Sequence, residues 1–187
     1  MSGSLVLVDE FTTSSAVASV TIGGGSSGSS SYNYAIDTTY NVYLLEYTNV
    51  GVETNSRNVC VRVTKSGTAD ATANYDYSYI VLNAGASTGS YGTANENEWT
   101  YLFADNIGTA TGEVANGTAY LFNFPNTGEY SFITADMVEV NNTPVSRGNT
   151  GAGVHTTASA SDGLYFFDDA GGNIASGSSF KLYGIKK

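Results

Sequence analysis

This sequence predicts an all-β fold, a jelly-roll-like antiparallel β-sandwich, and three observations carry that expectation. Apolar residues recur at every second position in many short runs, the period that sends successive side chains to opposite faces of a sheet. Gly, Ser, Thr and Asn fill the spaces between the runs, a composition that suits short strands and turns better than helices. The length of 187 residues suits one domain whose core hides roughly 70% of the unfolded chain's surface.

Taken in order, Leu5 to Ile22 reads as an N-terminal arm or a first pair of strands, and Gly23 to Ser31 as a Gly/Ser linker. Residues 1–31 are thereby set apart from a sandwich domain over 32–187. Thr39 to Thr48 carries apolar residues on both faces, which predicts a central strand with Leu44 and Leu45 in the core. From Arg57 to Thr64, Val59, Val61 and Val63 share one face while Asn58, Cys60, Arg62 and Thr64 share the other, as in a strand wet on one side. Tyr75, Tyr77, Tyr79 and Val81 form a stripe whose phenols need a polar outlet.

Downstream, Tyr120, Phe122 and Phe124 share one face, as do Tyr130 and Phe132, with Pro125-Asn126-Thr127-Gly128 as the turn of a hairpin between them. Met137 to Val140, Leu164 to Phe167 and Phe180 to Ile185 complete about nine or ten strands, a spacing that suggests a sandwich. Ala84 to Glu98 and Asn141 to Ser161 read as long Gly/Ser/Asn loops. No repeat of fixed period is present, which disfavours solenoids and propellers.

Composition narrows the function. Seven Lys and Arg against seventeen Asp and Glu give a net charge of −10, the wrong sign for a surface that neutralises phosphates, so no nucleic-acid partner is expected. No stretch approaches eighteen consecutive apolar residues, so no membrane helix is expected either. Met1-Ser2-Gly3-Ser4 lacks a cationic leader, and Asp9-Glu10 closes the apolar run behind it, which predicts synthesis in a cytoplasm.

Chemistry-bearing residues are few. Cys60 is the sole cysteine and sits between valines, where a thiol is filler; His155 is the sole histidine and reads as a loop residue. Asp168 and Asp169 are weak candidates for calcium ligands, and a turn between two strands is the preferred reading of the same residues. No metal or cofactor is expected. Fourteen tyrosines and Trp99 serve either to pack sheets and subunits or to stack on sugars; Tyr32, Tyr34, Tyr91 and Trp99, placed in loops, are the better ligand candidates.

The last third carries a resemblance. Ala119-Tyr120-Leu121-Phe122-Asn123-Phe124-Pro125-Asn126, then Asp162-Gly163-Leu164-Tyr165-Phe166, then the closing stretch from Asn173-Ile174-Ala175-Ser176-Gly177 through Phe180-Lys181-Leu182-Tyr183-Gly184-Ile185-Lys186 resemble a group of tailed-bacteriophage virion proteins. The likeness covers 118–187 well and extends more loosely to Tyr43–Val50, Arg62-Val63 and Tyr75-Asp76-Tyr77. It implies a sandwich on the outside of a phage particle, assembled in the host cytoplasm, without catalysis. It also implies a homo-oligomer, often a trimer, in contact with the major capsid protein or other virion proteins.

A short chain without a fibrous shaft favours capsid decoration (cement) within that group. Leu5, Leu7 and Phe11, on a strand that a neighbour could accept, and the Tyr75, Tyr77 and Tyr79 stripe are the interface candidates. The alternatives are a tail-fibre or receptor-binding head that recognises host surface glycan through Tyr91 and Trp99, and a polysaccharide hydrolase using Glu96, Glu98 or Asp105, or a carbohydrate-binding module.

Overall fold

A computed structural model describes residues 4–24 and 34–186. Among them the chain is all-β, with 61% of residues in strands and no helix. In chain order the strands are β1 (Ser4–Thr12), β2 (Ser19–Gly23), β3 (Val42–Val50), β4 (Arg57–Lys65), β5 (Thr68–Ala69) and β6 (Tyr75–Asn83). There follow β7 (Gly89–Glu96), β8 (Trp99–Ile107), β9 (Ala115–Phe122), β10 (Ser131–Val140), β11 (Ser146–His155), β12 (Gly163–Asp168) and β13 (Ser179–Lys186).

These strands make two antiparallel sheets packed as a sandwich. The larger sheet has eight strands in the order β1-β13-β3-β9-β10-β11-β6-β7, and the smaller has the order β2-β12-β4-β5, with β8 also paired to β4. The N-terminal stretch supplies the first strand of each: β1 pairs with β13, and β2 with β12. The hairpin around Pro125–Gly128 forms as the turn chemistry predicts, with β9 and β10 paired from Phe122↔Phe132 to Ala115↔Glu139.

The core lies between the sheets. Val59, Val61 and Val63 are fully buried, as their alternation requires, and a chain of rings joins the layers: Tyr47 to Phe103 at 5.7 Å, Phe103 to Phe166 at 5.6 Å, Phe166 to Phe180 at 4.7 Å. Such tilted and edge-on contacts add to the area each ring removes from water. The other face of β4 is only partly wet. Cys60 is buried there, and the Arg62 guanidinium lies 4.5 Å over the Phe167 ring while Nη2 reaches Glu98 Oε2 at 2.9 Å.

Several expectations are corrected. The segments read as loops contain strands: β7 within 84–98 and β11 within 141–161. Strand β11 is Gly-rich because strand β8 lies close beneath it. A Cβ at Gly153 would sit 2.6 Å from Trp99 Nε1, and one at Gly151 would sit 2.7 Å from a Leu102 methyl. Here glycine makes a close approach possible. Leu45 is buried but Leu44 faces outward, half-exposed. Phe124 leaves the stripe of Tyr120 and Phe122 because β9 ends before it, and its ring turns into the core.

Candidate interaction surface

The outer face of the eight-stranded sheet follows from its register. Side chains that alternate with the buried Tyr43, Leu45 and Tyr47 on β3, and with Ile133, Ala135 and Met137 on β10, point away from the core. Reading across the strands, one row runs from Leu5 and Ile185 through Val42 to Phe122, Phe132 and Val154. The next row runs Leu7, Tyr183, Leu44, Tyr120, Thr134 and Ala152.

Every member of the first row is apolar, and neither row carries a charge. Leu5 is 54% exposed, Tyr120 43% and Phe132 42%. A contiguous apolar band across six strands differs from scattered surface hydrophobes, which need no explanation. The third row is charged: Glu10, Lys181 and Glu46 lie side by side, and Asp136 stands between Thr118 and Thr150.

The interface candidates divide accordingly. Leu5 and Leu7 lie on this outer face, whereas Phe11 is half-buried against the core. Tyr75 and Tyr77 are buried and face the core, so they are not interface residues. The Tyr75 hydroxyl accepts from Val63 N–H at 3.1 Å and donates to the Asp70 carbonyl at 2.6 Å, which supplies the polar outlet a buried phenol needs. Tyr79 is half-buried on the inner side, stacked 5.3 Å from the exposed Tyr91 of the edge strand β7 and 5.7 Å from Tyr101.

The ligand candidates also separate. Trp99 is the first residue of β8 and has no exposed surface; its ring meets Tyr75 edge-on at 5.1 Å. It is a core residue and cannot stack on a sugar. Tyr91 and Tyr34 are exposed, and Tyr32 lies outside the described residues. A cleft of about 540 Å³ opens instead at Tyr40, lined by Thr38, Asn41, Asn123, Pro125, Asn126 and Thr127. Nothing in the sequence marks Tyr40 as a site residue, since one tyrosine in a strand-like run carries no motif.

Asp168 and Asp169 form a turn. Asp168 Oδ1 accepts from Ala170 N–H at 2.8 Å and Gly172 N–H at 3.1 Å, and Asp169 Oδ2 accepts from the Asn58 amide at 2.7 Å. This is an Asx-type closure. No group of three or more metal-ligating side chains occurs among the described residues.

Two buried ionisable clusters were invisible in the sequence. In the first, Arg147 Nη2 donates to Asp105 Oδ2 at 2.5 Å, Nη1 lies 3.8 Å from Glu139 Oε1, and Asp105 N–H donates to Glu139 Oε2 at 2.9 Å. Burial pushes the Glu139 carboxyl up to about 8, with the Asp105 charge adding to the rise, and burial raises Asp105 as well against the opposing pull of Arg147. In the second, His155 is fully buried at the end of β11, with Nε2 3.3 Å from Asp70 Oδ2, and Lys65 Nζ lies 2.6 Å from the same oxygen. Burial and the Lys65 charge lower the His155 pKa, against the opposing pull of the Asp70 carboxylate.

The three carboxylates considered for hydrolysis are each engaged separately: Glu96 with the Thr93 hydroxyl, Glu98 with Arg62, Asp105 with Arg147. No protein-family model matches this chain, and no curated protein matches it.

Proposed function

We propose that this chain is a non-enzymatic structural protein of a tailed-phage virion, seated on the outside of the capsid as a decoration protein that contacts sister subunits and the major capsid protein. The observation that carries this reading is the uncharged apolar band across the outer face of the larger sheet. A surface of that kind loses less by being covered than by facing water, at roughly 25 cal/mol per Å² of apolar area removed. The resemblance of 118–187 to phage surface proteins supplies the setting. Weak contacts repeated over a capsid lattice give such a protein its hold.

The test is composition of the particle. Peptide mass mapping of purified virions finds the chain in numbers comparable with the major capsid protein, and a reconstruction places its density outside the shell. Virions that lack the chain overturn the reading.

The cleft at Tyr40 favours a second reading, a receptor-binding head that recognises neutral glycan. Its lining offers amides, hydroxyls and one ring without an acidic or basic side chain. The Tyr40 ring lies flat on the backbone of Gly184, where a Cβ would collide with it, and meets Tyr43 edge-on at 5.6 Å. A ring fixed in that way loses little freedom on stacking against a pyranose. A glycan array on which binding disappears with Tyr40→Ala supports this reading, and an array silent for the unaltered protein removes it.

A further inference from the structure

We infer that the apolar band is covered by a second copy of this chain, in a two-fold dimer that packs the larger sheets face to face. The inference deepens the proposed structural role, and it rests on that reading only for where the dimer works.

The band occupies six strands, β1 to β11 in the sheet order, so its midline falls between β3 and β9. A two-fold axis along that midline, parallel to the strands, sets each strand against its counterpart counted from the opposite end. Strand β13 then faces β10 of the other copy, and β3 faces β9. Ile185 meets Phe132, Val42 meets Phe122 and Leu44 meets Tyr120, an aliphatic side chain opposite a ring in each of these pairs, while the Tyr183 ring meets Thr134 and the outer pairs Leu5–Val154 and Leu7–Ala152 are aliphatic throughout.

The charged row makes the same axis distinctive. It brings Lys181 on β13 over Asp136 on β10 of the other copy, and by symmetry the pair forms twice. Within its own sheet Asp136 has only threonines beside it, Thr118 and Thr150, so the second copy supplies the cation its row neighbours do not. An isologous interface requires this self-complementarity.

The size is adequate. Six strands at about 4.8 Å and three rows at about 6.8 Å span about 590 Å² per subunit, so the pair buries about 1,200 Å², the lower end of standard stable interfaces. Sheets packed in this manner lie about 10 Å apart with their strands within about 30° of each other, within reach of a lysine and an aspartate.

Sedimentation of the purified chain tests this directly. The expected mass is twice the 19.5 kDa of the chain. Tyr120→Asp, on an exposed ring that the core does not use, gives monomer. Asp136→Lys and Lys181→Asp each weaken the dimer about tenfold or more. Mixing these two variants restores a dimer, because the mixed pair opposes Lys to Asp at both places while each variant alone opposes like charges.

An unaltered protein that stays monomeric at its highest soluble concentration overturns the inference. So does a dimer that ignores Tyr120→Asp, or charge variants that pair no better mixed than apart. Lys181→Asp leaves that side chain among Glu10 and Glu46, so melting of each variant is measured alongside. If it unfolds, Asp136→Lys mixed with unaltered chain decides: one favourable and one repulsive pair must give intermediate affinity. A monomer found in virions gives the band to another virion protein, whereas a dimer absent from virions overturns the virion reading and leaves this inference standing.

Discussion

Burial raises the Glu139 carboxyl from its ordinary 4.5 to about 8, so at neutral pH the folded chain holds a proton there that the unfolded chain releases. The stabilisation this represents is complete below pH 4.5 and is lost as pH rises through 8, with a slope of up to about 1.4 kcal/mol per pH unit between them. Glu139→Gln removes that slope, which urea midpoints measured from pH 4.5 to 9 will show. His155 has the opposite sign. Its pKa is lowered below 6.5, so its contribution is present above pH 6.5 and falls away on acidification. With Glu139 replaced by Gln, the fall on acidification due to His155 remains, opposed by the raised Asp105 carboxyl. Cys60 offers a third check at this scale, since burial pushes its thiol up to about 12. A disulfide reagent is expected to label it only at the rate of global unfolding.

At the scale of elements, β8 and β11 show how far local pattern reaches. The sequence Gly151-Ala152-Gly153 gave no sign of a strand because glycine is a poor strand former taken alone. The strand exists because Trp99 and Leu102 fill the space that side chains at Gly151 and Gly153 would need. Gly153→Ala is therefore expected to destabilise the fold by about 1–3 kcal/mol through overpacking on Trp99, read as a lowered urea midpoint without a changed slope. The β9–β10 hairpin is the contrasting case. Pro125 and Gly128 announced the turn, and the flanking alternation announced both strands. Positions where the backbone takes positive φ outside glycine, such as Asn49 at the register shift of β3 against β9 and Asn123 at the end of β9, explain part of the asparagine richness.

For the whole molecule the decisive quantity is which sheet face stays uncovered. The sandwich buries one face of the larger sheet against the smaller sheet and leaves Phe132, Tyr120 and Leu5 outside. On the proposed capsid role, loss of the proposed dimer through Tyr120→Asp is expected also to lower occupancy on particles, since a lattice of paired subunits has twice the contacts per binding event. Quantitative mass mapping of particles assembled with that variant measures it. Equal occupancy would separate self-pairing from attachment.

The sequence by itself determined an all-β chain, because alternation with period two admits little else, and it determined the turns, because Pro, Gly and Asn act locally on φ. It also determined the valine face of β4, where one face is apolar and the other is not. Only the tertiary structure decided which of two apolar faces turns inward. Tyr75 and Tyr77 went to the core and Tyr120 and Phe132 to the surface, although both stripes read alike. Alternation specifies that two faces exist; which one is removed from water depends on where the other sheet lies. The burial of Trp99, His155 and Glu139 was decided in the same way, by partners distant in sequence.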